Sequence, residues 1–200
     1  MVLKIIFILS ANILFLYFFW KRLKEDYLAD YVFTAAIYII FAVVISQVVS
    51  MRFFPQWWFW VGFVATLAGL TGGIYRYRLR IVESVEALFL STLPVLILIF
   101  TYHFVITREY GNLLASIYLL FLTFAFFFFD KHYKRFAWYK SGRIGFSGLT
   151  IAGVFFLTRS AVASFFPDML SFSGKHEVYV SALVAFVAFL GVFTLARKKT

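Results

Sequence analysis

Leu113-Leu-Ala-Ser-Ile-Tyr-Leu-Leu-Phe-Leu-Thr-Phe-Ala-Phe-Phe-Phe-Phe129 runs for 17 residues without a charge and stops at Asp130-Lys-His-Tyr-Lys-Arg135. A helix needs about 20 mostly apolar residues to cross the hydrocarbon core of a bilayer, with about 17 as the lower end of the range. The run is apolar on every face and lacks the period-2 alternation of a barrel strand, so it reads as a spanning helix. Six more runs of the same kind flank it, at 1–20, 27–51, 57–75, 83–106, 144–166 and 179–196. The predicted fold is an all-α integral membrane protein with seven transmembrane helices. Connections are short, and no linker, low-complexity tract or internal repeat divides the chain. Residues 1–200 therefore read as a single seven-helix membrane domain. The first run carries Lys4, as a signal peptide would, but continues to Trp20 without a small-x-small cleavage site and reads as a retained helix.

Composition agrees with this reading. Hydrophobic residues make up 64% of the chain and charged residues 14%; a soluble domain averages about 45–50% and about 25%. Mean hydropathy is +0.92. The 29 Phe, 12 Tyr and 5 Trp exclude a disordered chain, which would be poor in aromatics. The absence of cysteine excludes disulfides, thiolate metal sites and a cysteine nucleophile. No Walker loop, HExxH helix or GxSxG elbow is present, and His103, His132 and His176 are isolated. Neither a cofactor nor a metal is expected.

The net charge of +10 raises nucleic acid as a partner until the cations are placed. Lys21, Arg22 and Lys24 follow the first run, and Arg76, Arg78 and Arg80 the third. Lys131, Lys134, Arg135, Lys140 and Arg143 follow the fifth, and Arg197, Lys198 and Lys199 the seventh. Fourteen of nineteen cations thus fall on one side; Lys4, Arg52, Arg108 and Lys175 fall on the other. The positive-inside rule then predicts the N-terminus outside and the C-terminus cytoplasmic. Topology accounts for the basic excess, and no nucleic-acid partner is expected.

Arg159 remains, inside the sixth run. It lies about 22 Å from the inner end at 1.5 Å per residue, in the outer-leaflet half. An arginine near a helix centre costs roughly 2.5–3.5 kcal/mol on insertion scales. Two readings are open: snorkelling or pairing with a carboxylate or carbonyls, and gripping a phospholipid phosphate with the planar guanidinium. Gln47, Tyr102 and His103 fall at a comparable depth, which suggests a polar pocket drawn from three helices. His103 is either a general base or a solvated helix-end residue. Ala65, Gly69 and Gly73, with Gly62 and Gly72 beside them, form a small-xxx-small stripe suited to close helix packing. The cluster Arg52-Phe-Phe-Pro-Gln-Trp-Trp-Phe-Trp60 reads as an interfacial aromatic belt at the outer surface, with a lipid-facing amphipathic segment as the alternative. Glu83 and Glu86, like Asp30, read as anchors at the inner membrane surface, with Arg80 and Glu83 three residues apart and able to pair. No acidic group is expected deeper in the bundle. Only Pro94 lies well inside a span, so the broken helices of a transporter are not indicated.

Several stretches carry a resemblance. Lys21-Arg-Leu-Lys-Glu-Asp precedes the second run, and Ile45-Ser-Gln-Val-Val-Ser-Met-Arg52 ends it. Ala68-Gly-Leu-Thr-Gly-Gly73 leads into the basic loop Tyr75 to Arg80 and an acidic helix start. Gly142-Arg-Ile-Gly-Phe-Ser-Gly-Leu-Thr150 continues to Arg159. From about Lys21 to Phe166 the pattern resembles the bacterial prolipoprotein diacylglyceryl transferase family. The resemblance implies seven helices in the bacterial plasma membrane, N-terminus outside. It implies transfer of diacylglycerol from phosphatidylglycerol to a lipoprotein precursor at the outer leaflet, with Arg159 holding the lipid phosphate.

The chain departs from that family at most of its polar positions. The histidine before the glycine stretch falls at Leu67 or Gly62, and the arginine of the second helix at Gln47. The arginine and asparagine after the fourth helix fall near Phe100 and His103, and the two later glutamates at Ala115 and Ala163. Two functions follow as expectations. In one, Arg159 and Gln47 bind phosphatidylglycerol while His103 and Tyr102 move the proton of the transfer. In the other, a non-catalytic multi-pass scaffold binds a lipid or a membrane-protein partner.

Overall fold

Each apolar run becomes one long helix, and among the described residues there is no strand. The structure, a computed structural model, describes residues 2–136, 139, 145–167 and 169–197. Lys140, Arg143, Lys198 and Lys199, and the Gly142-Arg-Ile segment of the resemblance, lie outside the described residues. The helices are α1 (Val2–Leu23), α2 (Ala29–Phe53), α3 (Trp58–Tyr77), α4 (Ile81–Thr107), α5 (Tyr110–His132), α6 (Phe146–Phe165) and α7 (His176–Arg197). All seven are long and apolar enough to cross a membrane. Leu, Ile, Val and Phe side chains point outward along their flanks, as lipid-facing surfaces require.

Connections set the neighbours. Arg108 and Glu109 alone join α4 to α5, and Arg108 turns the chain with φ 57°. Arg78 does the same after α3 with φ 53°. The helices pair α2 with α3, α4 with α5, and α6 with α7, while α1 packs on α4. Helix α4 therefore stands in the middle of the bundle and runs unbroken through Pro94. Helix α6 is the most enclosed: 56% of its most apolar stretch is buried, against 11% for α1.

Two large apolar clusters fill the bundle, beside a smaller one of Tyr139, Phe146, Val192 and Ala196. One joins α3, α4, α5 and α6 through Trp60, Leu93, Leu122 and Phe156. The other joins α1, α2, α3 and α4 through Phe19, Ile39, Leu70 and Ala87. Between α2 and α3 the backbones approach directly. A Cβ on Gly69 would lie 2.7 Å from the Ile39 Cα, and one on Gly73 would lie 2.8 Å from the Ala35 Cβ. Ala65, one turn before Gly69, is half-buried. Gly62 faces the Gln47 side chain, whereas Gly72 has only the Tyr38 ring near it, at 3.8 Å.

These spacings give opposite outcomes for one substitution. Gly69→Ala forces the α2 backbone to move and should cost about 1–3 kcal/mol. Gly72→Ala meets ordinary contact and should be neutral or slightly stabilising, since alanine favours a helix by up to about 1 kcal/mol over glycine. Thermal unfolding of the two variants in detergent checks the contrast; equal midpoints would show that the α2–α3 approach is not tight.

Candidate functional site

An arginine in an apolar helix needs its charge and its N–H groups satisfied by the protein, because the bilayer interior offers no water. Arg159 sits six residues before the end of α6, about 9 Å along the axis. It is 6% exposed. Its Nε donates to Oε1 of Glu177, at 2.5 Å, and Glu177 is fully buried at the start of α7. Its Nη1 donates to the Ser171 hydroxyl at 2.9 Å, and its Nη2 to the Ser171 carbonyl. The guanidinium carbon lies 3.7 Å from the Phe59 ring centroid and 4.8 Å from that of Phe172. Rings so close to a desolvated cation add attraction of about 2 kcal/mol.

Glu177 is equally occupied. Besides Arg159, its Oε1 accepts from the Ser181 hydroxyl at 2.5 Å. Its Oε2 accepts from Trp60 Nε1 at 2.8 Å and from both the backbone N–H and the hydroxyl of Ser173, each at 3.2 Å. A carboxylate offers about four lone-pair positions, and these donors fill them. The spacing is local in part: Ser181 lies one turn after Glu177 on α7, and Ser173 lies four residues before it in the connection. Ser171 completes the clamp with φ 80°, a conformation unusual for a residue other than glycine, held by two bonds to one guanidinium. One ion pair thus ties α3, α6, α7 and the α6–α7 connection together.

A second buried carboxylate organises the other, basic end. Glu86 is fully buried on α4. It accepts from Arg22 Nη2 at 2.9 Å and from the backbone N–H groups of Gly145 and Gly148 at 3.0 and 3.1 Å. Those amides belong to the first turn of α6, which has no side-chain cap of its own. Glu86 therefore caps α6 from a neighbouring helix, where a negative charge is favoured. Gly148 permits this, since a Cβ there would lie 2.5 Å from the Glu86 Cγ. Nearby, Glu83 accepts from Arg80 Nη1 and from the Tyr27 hydroxyl, both at 2.9 Å. Burial pushes the Tyr27 phenol above its ordinary value, so it remains a donor well into the alkaline range.

Arg80 and Glu83 pair as their spacing predicts, Glu83 being 7% exposed, and Glu86 is fully buried. It belongs to the interior because Arg22 and two amides, all distant in sequence, satisfy it. Likewise, the expectation of no deep acidic group fails for both Glu86 and Glu177. Apolar scanning starts the seventh helix at 179, but α7 begins at His176 and carries Glu177 inward. Of the two readings left open for Arg159, the geometry realises pairing with a carboxylate.

The remaining predicted site residues make their contacts elsewhere. Gln47 Nε2 donates to the Trp58 carbonyl at 3.2 Å, linking the end of α2 to the start of α3. Tyr102 packs against Phe7 and against the ring of His103, both half-buried near the end of α4. Among the described residues, no hydrogen bond or ring contact joins Arg159 to Gln47, Tyr102 or His103, and the His103 imidazole makes no hydrogen bond. No group of histidine and acidic residues suited to a metal ion occurs among them.

No family model, no curated protein and no solved structure matches the chain.

The clamp makes a paired prediction. Arg159→Leu leaves Glu177 buried without its counter-charge and should destabilise the protein by about 3–5 kcal/mol. Adding Glu177→Leu removes the orphaned carboxylate and should recover most of the loss. Thermal unfolding of the single and double variants tests this, and a double variant as weak as the single would refute a dominant ion-pair role.

Proposed function

We propose that the chain is a non-catalytic membrane protein, a seven-helix scaffold of diacylglyceryl transferase-like design that binds a membrane lipid. One observation carries this reading. Arg159, the cation that a transferase would present to the lipid phosphate, is bonded through Nε, Nη1 and Nη2 to Glu177 and Ser171. A phosphate there would have to displace a carboxylate held by four further hydrogen bonds. Truncating one partner of such a pair costs several kcal/mol, and a phosphate competing for it faces a penalty of the same kind. The transfer also needs a base to take the thiol proton and a donor set for the departing phosphate. His103 and Tyr102 share no bond with Arg159, and the family's other polar positions hold Leu67, Gln47, Ala115 and Ala163.

In this reading the basic end, with Lys21, Arg22, Lys24, Arg76 and Arg78, faces the cytoplasm, and the Arg159–Glu177 clamp lies on the opposite side of the plasma membrane. The clamp holds α6 and α7 in place rather than engaging substrate.

Complementation separates the two functions. In a bacterial strain depleted of its own diacylglyceryl transferase, the full-length chain at verified membrane expression should not restore lipoprotein acylation. His103→Ala should leave membrane yield unchanged. Restored acylation, lost again in His103→Ala, would instead establish the transferase activity.

A further inference from the structure

Between α1 and α5, above the flank of α4, lies a cleft of about 210 Å³ at the basic end of the bundle. Helices α1 and α5 both pack on α4 and meet each other chiefly through the Phe18–Phe127 ring contact, with centroids 6.4 Å apart. That leaves a lateral gap. Its walls are Phe18, Leu90, Phe126 and Phe127, and its mouth carries Lys21, Arg22 and Lys24. The acidic groups at the mouth are Glu25, exposed at the rim, and Asp130, whose Oδ1 is 3.7 Å from Arg22 Nη2. Among the described residues, three cations thus meet Glu25 and Asp130 at the mouth, with Arg22 also paired to Glu86 beneath.

The cations are positioned differently. Arg22 is anchored: its Nη2 is bound to buried Glu86, and its side chain is 15% exposed. Among the described residues its Nε and Nη1 make no hydrogen bond, which leaves an oriented donor edge free. Among the described residues Lys21 and Lys24 make no ion pair, and they lean over the rings of Tyr17 and Trp20, at 5.4 and 5.2 Å. Cationic donors around an apolar throat at a helix end match a phosphate next to hydrocarbon, the chemistry by which basic pockets between membrane helices hold anionic lipid headgroups. The volume suits a glycerophosphate group, with the acyl chains remaining in the bilayer along α1 and α5.

We propose that this cleft binds one anionic phospholipid from the leaflet at the basic end, its phosphate held by Arg22, Lys21 and Lys24. The site is distinct from Arg159 and lies at the opposite end of the bundle. The proposal deepens the lipid-binding function above and rests on it. Lys21 and Lys24 supply the charge that draws the headgroup in, and Arg22, fixed by Glu86, supplies the directional contact that a mobile lysine would not.

Native mass spectrometry of the full-length protein in non-ionic detergent tests the site, with dioleoyl-phosphatidylglycerol, dioleoyl-phosphatidylcholine and inorganic phosphate as probes. The phosphatidylglycerol adduct should exceed the phosphatidylcholine adduct about tenfold. Lys21→Gln/Lys24→Gln, which spares the Arg22–Glu86 bond, should lower it about tenfold. Arg76→Gln/Arg78→Gln, which removes two exposed cations outside the cleft, should leave it unchanged. Equal binding of the two lipids, full retention by the Lys21/Lys24 variant, or equal loss in the Arg76/Arg78 variant would each overturn the proposal. Displacement of the lipid by inorganic phosphate alone would overturn it too, by making the site a simple anion site. Loss of phosphatidylglycerol binding leaves the absence of transfer chemistry standing, whereas restored acylation in the depleted strain removes that reading and does not touch the lipid data.

Discussion

Helix α6 is held at both ends by buried carboxylates from other helices, and the arrangement of the bundle depends on these two contacts. At one end Glu86 of α4 accepts from the first-turn amides of α6. At the other, Glu177 of α7 neutralises Arg159. Both follow from one constraint: within an apolar environment every backbone and side-chain polar group must find its partner inside the protein. A helix start without a side-chain cap needs an acceptor, and a buried guanidinium needs a counter-ion. Once α4 and α7 supply them, the axial position of α6 relative to both is set.

Apolar packing alone would not set it. Lipid tails are as apolar as leucine, so helices in a membrane gain little from burying Leu and Phe against one another. The rings of Phe59, Trp60, Phe155 and Phe156 pack α3 on α6, but an aromatic cluster tolerates sliding by a turn more readily than a bonded charge pair does. A buried ion pair need not add net stability, because desolvating both ions offsets much of their attraction. Its effect here is selective: a register that separates Arg159 from Glu177, or Glu86 from the α6 amides, strands a charge. Gly148 and Gly153 work in the same direction, letting α6 lie against Glu86 and against the Phe189 ring respectively.

The helices were legible in the sequence because hydrophobic length is a local property, and every apolar run has its helix. The Arg80–Glu83 pair was legible for the same reason, being three residues apart on one helix. Glu86 was not. Its donors lie 64, 59 and 62 residues away, and position beside Glu83 makes the two carboxylates look alike. Glu177 was missed because Lys175-His176-Glu177 lowers the local hydropathy and reads as a loop. Two signals pointed to it nonetheless. Ser181 follows it at helical spacing, and an arginine inside an apolar helix calls for an acid on a neighbouring element. The pocket inferred from equal depth on three helices used only axial position; Gln47, Tyr102 and His103 share a depth with Arg159 but not its contacts.

Function then turns on which cation keeps free donors. Arg159 is the arginine that sequence reasoning selects, since it lacks a topological reason to sit in the membrane. Its reason is instead the clamp, in which Glu177 accepts from Nε and Ser171 from Nη1 and Nη2, the donors that a phosphate would need. Arg22 looks ordinary by the same reasoning, one of many basic residues that mark a membrane side. Yet Glu86 takes only its Nη2 and holds the rest of the guanidinium toward a cleft with aromatic walls. An arginine whose Nε, Nη1 and Nη2 are all bonded, as by Glu177 and Ser171, is a structural element, whereas one held through Nη2 alone keeps the others available. The two buried pairs have the same charges, and the geometry of their donors, more than their depth, decides which arginine keeps donors to offer.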